Sequence, residues 1–513
     1  MKTPLKRPVA LILLDGWGCS PSIAGNAIAL AYTPNYDAIL QTSRSTRLAA
    51  SGTAVGLPEG SPGNAEIGHV NIGAGRIVKT DAARISDAIR SGEFDSNPQL
   101  TSALSLAAAQ GKPVHLIGLL GDGGVNSSSA TLYALLRMAK RHGVSEAYVH
   151  GILDGRDVPP RTADIYVEAL EIKMADIGLG KIATLCGRFF AMDNGENWER
   201  TARAFTMLFH AEGERQGDAV NAVRSSFLRG ISDEFIAPIV LEGIPGKPVA
   251  TIREGDTVIF FNHRADTSRQ LVRSLAVPEP GQLLPVKPQI ETVCLTEYDR
   301  SFDLPVAFPP ESRDNNLAEV LAQQEIHNYR ITEADRFAHI TTFLNGGAEF
   351  AGLNEMHIQV PAAPRPSDRE SEPEMRSFKI TDSFIRAIDG DPTGLFIVNI
   401  PAPGMVAETG NLDRTVEAVQ YVDTCLGGMI AKVKEFNGIA VITSTHGNCE
   451  SMVLPTSEPD RYSTTNSVPL HLIGDNVESR LRSDGSLCDV APTLLGLLGV
   501  EKPTSMTGTD LRI

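Results

Sequence analysis

Eight side chains of catalytic or binding type stand where an apolar run gives way to a loop. Asp15 ends the run Val9–Leu14, and His446 lies in the THGN loop after GIAVITS. Asn126 sits in GDGGVNSSS after PVHLIGLL, and Arg156 and Asp157 sit in DGRD after EAYVHGIL. Arg188 follows KIATLCG, Arg264 follows DTVIFFNH, and Arg336 closes EADR. A ninth, Glu408, falls in a loop or at a helix start, where a carboxylate complements the helix dipole. Asp15, Glu408 and His446 offer carboxylate and imidazole for general acid–base work, or Asp15 and His446 for holding one cation. The arginines suit bidentate capture of phosphate, phosphonate or carboxylate. Each has a plainer reading: Asp15 caps a turn, Arg156 and Asp157 brace DGRD, and Arg336 is an exposed cation. His69 is read as a brace for its glycine-rich loop. Cys449, three residues after His446, is a possible thiol nucleophile, although an inert buried cysteine is the commoner case.

The elements that must position these groups alternate apolar strand, loop and amphipathic helix, which predicts a mostly parallel, helix-covered α/β sheet. In such sheets ligands bind beyond the carboxyl ends of the strands. Residues 24–40 read as helix, residues 56–75 as a long glycine-rich loop, and the Pro-rich stretch 303–314 as an interdomain linker. DVAPTLLGLLGV closes the chain with an apolar helix. At roughly 100–200 residues per domain, 513 residues call for two to four domains.

The formal charge of −16 excludes a general nucleic-acid footprint and argues against an anionic membrane surface. An anionic ligand then needs a local arginine cluster. The N-terminal apolar run is too short for a signal peptide, and no stretch approaches a membrane span. The six cysteines lack a CxxC pair and read as free thiols in a reducing cytoplasm. GDGGV and GLPEG lack the Lys-Ser/Thr of a P-loop, and no dinucleotide fingerprint follows the first strand.

Taken together, LILLDGWG, AVGLPEG, GNAEIGHVNIGAGRIV, LIGLLGDGGV, LDGRDVPPR, GRFFAMD, FFNHRAD, LPVAFPP, HITTFLNGG, THGN and DVAPTLLGLLG resemble, in collinear order, the cofactor-independent phosphoglycerate mutases of the alkaline phosphatase superfamily. The resemblance implies two domains: a discontinuous phosphatase-like domain, 1–80 with 311–513, and an inserted α/β transferase-like domain, 81–310. It implies two divalent metals, usually Mn²⁺, that activate a serine to take the phosphoryl group from 3-phosphoglycerate and return it to the neighbouring hydroxyl.

Matched position by position, this sequence departs from that pattern. The nucleophilic serine falls on Ala65. The metal-binding Asp and His of one motif fall on Gly404 and Glu408, those of another on Thr445 and His446, and a further His on Ser463. Substrate-binding His, Arg, Arg and Lys fall on Asn126, Asn194, Thr267 and Arg336, while Asp154, Arg156, Asp157, Arg188 and Arg264 are kept. The expectation is therefore a cytoplasmic protein of this fold that acts on, or binds, a small phosphorylated or phosphono carboxylic acid. Its two-metal phosphoserine route is lost, and it carries no cofactor or at most one Mn²⁺ or Mg²⁺ on Asp15 and His446. The alternatives are a non-catalytic ligand sensor or partner-binding protein, and a residual phosphoglycerate mutase. The expected catalytic set is Asp15, Glu408 and His446. The expected ligand-binding set is Asn126, Arg156, Asp157, Arg188, Arg264 and Arg336.

Overall fold

A computed structural model describes residues 7–277, 287–347, 352, 354–362, 369–475 and 480–513. The chain forms two compact units, Met1–Thr80 with Ser312–Ile513, and Asp81–Glu311. Among the described residues no helix is long and apolar enough to cross a membrane.

The first unit is built on an eight-stranded sheet, in the order Glu355–Val360, Asn328–Glu333, Leu395–Ile400, Val9–Leu14, Ile439–Thr443, Val468–Ile473, Arg44–Ala49, Gly485–Ser486. Only Val468–Ile473 runs antiparallel to its neighbours. All six residues of Val9–Leu14 are at most 1% exposed, because both faces of this central strand are covered. Ala10, Ile12 and Leu14 pack with helices Pro34–Thr42, Ser377–Gly390 and Leu412–Glu435. Val9, Leu11 and Leu13 pack with Ala65–Ala74, Leu317–Gln323 and Val490–Leu498. At about 1.5–3 kcal/mol per buried large aliphatic side chain, this two-sided packing fixes the strand and the residue that follows it.

The second unit carries a sheet in the order Val306–Phe308, Glu291–Thr296, Thr257–Phe260, Val114–Leu120, Ala147–Leu153, Lys181–Gly187, Ile239–Ile244, Glu214–Gln216, with Lys247–Pro248 paired to Ile239–Ile244. It is parallel as far as Lys181–Gly187. Leu116 and Leu120 face one apolar core, and Ile117 and Leu119 face the other.

Three local expectations change. The second half of the glycine-rich stretch is not loop, since Ala65–Ala74 is a helix. Asn64 caps it by accepting from the Ile67 N–H at 2.9 Å, and Gly75 ends it at φ 61°. Residues 24–40 are two short helices, Ala27–Leu30 and Pro34–Thr42, the second opening on Pro34. Part of the Pro-rich stretch is structured, because Val306–Phe308 is an edge strand paired with Glu291–Thr296.

Candidate functional site

The candidate residues fall into two clusters, one in each unit. In the first unit four neighbouring parallel strands end level, with Leu14 opposite Ile400, Leu13 opposite Thr443 and Ile331 opposite Val398. Their first loop residues therefore converge although they are hundreds of positions apart in sequence. Asp15 leaves the central strand and is fully buried. Arg336 Nε donates to Asp15 Oδ2 at 3.1 Å, and Thr445 Oγ1 donates to Asp15 Oδ1 at 3.2 Å. With its amide nitrogen turned inward, Asn399 donates to Asp15 Oδ1 at 3.1 Å and to the Leu13 carbonyl at 3.2 Å. Arg336 Nη2 donates to Glu408 Oε1 at 3.1 Å, so one guanidinium joins two carboxylates.

His446 stands beside this pair. Its Nδ1 lies 2.9 Å from Thr445 Oγ1, whose own hydrogen is given to Asp15. That assigns the imidazole hydrogen to Nδ1 and the lone pair to Nε2. The loop is tied down from both sides. Trp17 N–H donates to Ser444 Oγ, Ser444 Oγ donates to the His446 carbonyl, and the N–H groups of Asn448 and Cys449 donate to the Gly16 carbonyl. Gly404 reaches close to the Asp15–Gly16 turn, where an added Cβ would lie 3.0 Å from the Asp15 carbonyl carbon. Glu450, buried, accepts from the Asn448 N–H at 2.8 Å, from Asn466 Nδ2 at 3.0 Å and from the Thr464 hydroxyl.

Burial would raise the Asp15 pKa, but Arg336 and then His69, His446 and His339 outweigh it, so the carboxyl sits below its ordinary value. His446 is pushed down to about 4, by burial first, against the pull of Asp15. His339 falls to about 3, by burial and by His69 and Arg336. Glu333, the last residue of its strand, is fully buried with both carboxylate oxygens unpartnered. Burial, then Asp335, raises it to about 7 against the pull of Arg376, Arg369 and Arg336. Cys449 is buried and its thiol is pushed well above its ordinary value by burial, which makes it a poor nucleophile.

In the second unit Asp154 Oδ1 accepts from the N–H groups of Arg156 and Asp157 at 3.1 and 3.0 Å and from Arg188 Nη1 at 2.5 Å. The same Nη1 donates to Asp157 Oδ1 at 2.9 Å. Asp157 Oδ2 accepts from Asn126 Nδ2 at 2.6 Å, and Asn126 Oδ1 accepts from Thr267 Oγ1 at 2.6 Å. Asn126, Asp157 and Arg188 thus form one network. Arg156 gives it a backbone N–H while its side chain is exposed. Arg264 forms a two-pronged pair with Asp266 at 2.7 and 3.0 Å.

One of the plainer readings fails. Glu408, read as loop or helix start, stands in the turn just past the end of Ala402–Ala407, where the dipole opposes a carboxylate and the arginines hold it. Arg336 is not an exposed cation, since its side chain is only 14% exposed. Sequence reasoning passed over Asn399, Glu333, His339, Arg369 and Glu450, and treated Thr445 only as a lost ligand. A polar residue inside the apolar run Leu395–Ile400 could have flagged Asn399, whereas Glu333 closes a strand of mixed composition, Asn328–Glu333. Nothing local distinguishes Arg369.

The strand-end placement of these groups, on a sheet covered on both faces in a unit that a second α/β unit interrupts in sequence, defines a two-unit α/β architecture with an inserted domain. The family model for the BPG-independent PGAM N-terminus matches residues 85–300. The chain is 43% identical over 517 residues to the 2,3-bisphosphoglycerate-independent phosphoglycerate mutase of Moorella thermoacetica, covering 100% of this chain and 99% of that protein. It is 42% identical over 514 residues to 2,3-bisphosphoglycerate-independent phosphoglycerate mutase 1 of Methanosarcina barkeri, again covering 100% and 99%. A crystal structure of Leishmania mexicana phosphoglycerate mutase at low cobalt concentration matches 100% of this chain and 99% of its own, at 27% identity and a TM-score of 0.72. The chain belongs to the 2,3-bisphosphoglycerate-independent phosphoglycerate mutase family.

These findings correct two expectations. A divergent protein for an unspecified phosphorylated or phosphono acid, or a non-catalytic one, does not agree with 41–43% identity along the whole chain to proteins named as phosphoglycerate mutases. The expectation of no cofactor, or of one metal at most, is overturned by the same membership, the structures of the Leishmania mexicana relative being those at low cobalt concentration. The donor set of this chain is a separate observation. Among the described residues no three His, Cys, Asp or Glu side chains gather as a metal site. Both oxygens of Asp15 are engaged by protein donors, and the positive charge between Asp15 and Glu408 is the Arg336 guanidinium. These side chains do not fit a pair of divalent cations, and no step is routed through one.

Proposed function

We propose that this chain is an isomerase acting on phosphoglycerate, moving a phosphoryl group between the neighbouring hydroxyls of glycerate. The observation that carries the reading is the end-to-end identity of 41–43% to proteins of that name. Two features of the chain support an anionic substrate. Arg336 is lodged at the strand ends of the first unit by a fully buried carboxylate, so its position is fixed before any ligand arrives. Arg188 is likewise fixed in the second unit by Asp154 and Asp157. Asp15, Glu408 and His446 in the first unit, and Asn126, Arg156, Asp157, Arg188 and Arg264 in the second, are the side chains we assign to the work. His446 Nε2, carrying its lone pair, is suited to accept a proton from a substrate hydroxyl.

Residue 65 bears a methyl group. The hydroxyl in the cluster that a carboxylate and an imidazole both engage is that of Thr445. The six unpaired cysteines support a reducing cytoplasm as the place of action. Phosphorus NMR of the purified protein with 3-phosphoglycerate, with Mn²⁺ or Co²⁺ supplied, tests the reading. Growth of the 2-phosphoglycerate resonance to its equilibrium share is expected. An unchanged spectrum over hours, with a relative converting the same sample, would overturn it.

A further inference from the structure

Glu408 is held in a way that a bound oxyanion would be held. Its Oε1 accepts from Arg336 Nη2 at 3.1 Å, and its Oε2 is paired with Arg369 Nη1 at 3.6 Å. Two guanidiniums thus share one carboxylate, an oxygen each. Each arginine also has a second acid partner. Arg336 is anchored from behind by the buried Asp15, and Arg369 Nη2 is paired with Asp335 Oδ2 at 3.8 Å. Arg369 Nε is buried and has no partner. Exposure runs the other way, with the Arg336 and Arg369 side chains 14% and 24% exposed and that of Glu408 44%. The acid is therefore the loosest member of the three, and it sits past the end of its helix, where the dipole works against it.

We infer that Arg336 and Arg369 form a two-guanidinium site for a phosphoryl or carboxylate group, closed in the free protein by Glu408 acting as an internal stand-in for that group. Planar guanidiniums bind such oxyanions through paired, charge-assisted hydrogen bonds, and a carboxylate in the same position competes for the same N–H groups. While Glu408 is in place each arginine is matched by an acid, and an incoming anion gains only by displacing it. Displacement needs a side-chain rotation of Glu408 toward solvent and no movement of the sheet. The identity of the natural anion as the phosphorylated acid rests on the function proposed above, whereas the site itself is defined by the geometry alone.

The test is titration calorimetry with inorganic phosphate and, separately, with 3-phosphoglycerate, on the wild-type protein, Glu408→Gln and Arg369→Met. Removing the competing charge in Glu408→Gln is expected to tighten both ligands by about tenfold. Arg369→Met is expected to weaken both by about tenfold or more, with the thermal transition retained. Unchanged or weaker binding of both ligands by Glu408→Gln would overturn the inference, as would wild-type affinity in Arg369→Met. Tighter phosphate binding by Glu408→Gln in a protein that does not isomerise 3-phosphoglycerate would support the site and count against the function. Isomerisation without tightening would do the reverse.

Discussion

Replacing Arg336 with methionine should turn a stabilising carboxylate into a liability and reverse the way the Asp15 contribution responds to pH. Asp15 is fully buried and Arg336 is 14% exposed, so this pair is protected from solvent screening. Removing one partner of a buried ion pair costs about 3–5 kcal/mol because the other charge is left without compensation. At roughly 2–4 °C per kcal/mol for a unit of this size, the melting temperature near neutral pH should fall by about 6–20 °C. In the wild-type protein Asp15 sits below its ordinary pKa, so its contribution is complete above the unfolded value of about 4 and is lost only as pH falls below it. Without Arg336, burial is the largest remaining influence on Asp15 and raises its pKa. The Asp15 contribution in the variant should then be fully present in acid and be lost as pH rises above about 4. Asp15→Asn in the same background removes the orphaned charge and should recover part of the loss at pH 7. Calorimetric melts from pH 4 to pH 8 on the single and double variants would show this. A change of less than about 1 °C at pH 7, or a double variant no more stable than the single one, would refute the reasoning.

Other outcomes follow from the same arrangement. Glu333, raised to about 7, contributes fully below its unfolded pKa and loses that contribution as pH rises through 7. Glu333→Gln should therefore raise the urea midpoint at pH 8 and leave it nearly unchanged at pH 4. His446 and His471, both lowered to about 4, bind protons more readily unfolded, so wild-type stability should decline as pH falls from 6.5 to 4. His471→Gln should shallow that decline in the same urea series. Gly404→Ala places a methyl 3.0 Å from the Asp15 carbonyl carbon and should cost about 1–3 kcal/mol by chemical denaturation. Arg188→Met leaves Asp154 and Asp157 without their shared cation. It should destabilise by about 3–5 kcal/mol, read as a lower calorimetric transition.

Much of this was legible in the sequence because the site lies at strand ends, and strand ends are marked by where an apolar run stops. Asp15, Arg188, Asp154 and His446 could be placed on that ground, and the alternation of strand and helix carried the α/β class. Helix Ala65–Ala74 was hidden by the glycines around it, although Asn64 before it and Gly75 after it are ordinary capping residues. The partners of Asp15 were not legible. Arg336, Asn399 and Thr445 meet it only because neighbouring strands end level, which is a property of register and not of spacing. Glu408, read as loop or helix start, stands in the turn just past the short helix Ala402–Ala407. The position-by-position departures described the side chains correctly but misjudged the protein. A chain can keep its family along its full length while its strand-end groups are paired among themselves.

Asp15 is the hub of that pairing, and its role in catalysis can be measured directly. The rate of conversion of 3-phosphoglycerate to 2-phosphoglycerate should be compared for wild-type protein and Asp15→Asn in an assay that consumes the product. Near-UV circular dichroism would confirm that both are folded. The account predicts turnover by the wild type and a loss of about a hundredfold or more in kcat/KM for the variant. Equal rates for the two proteins, or no turnover by either, would contradict it.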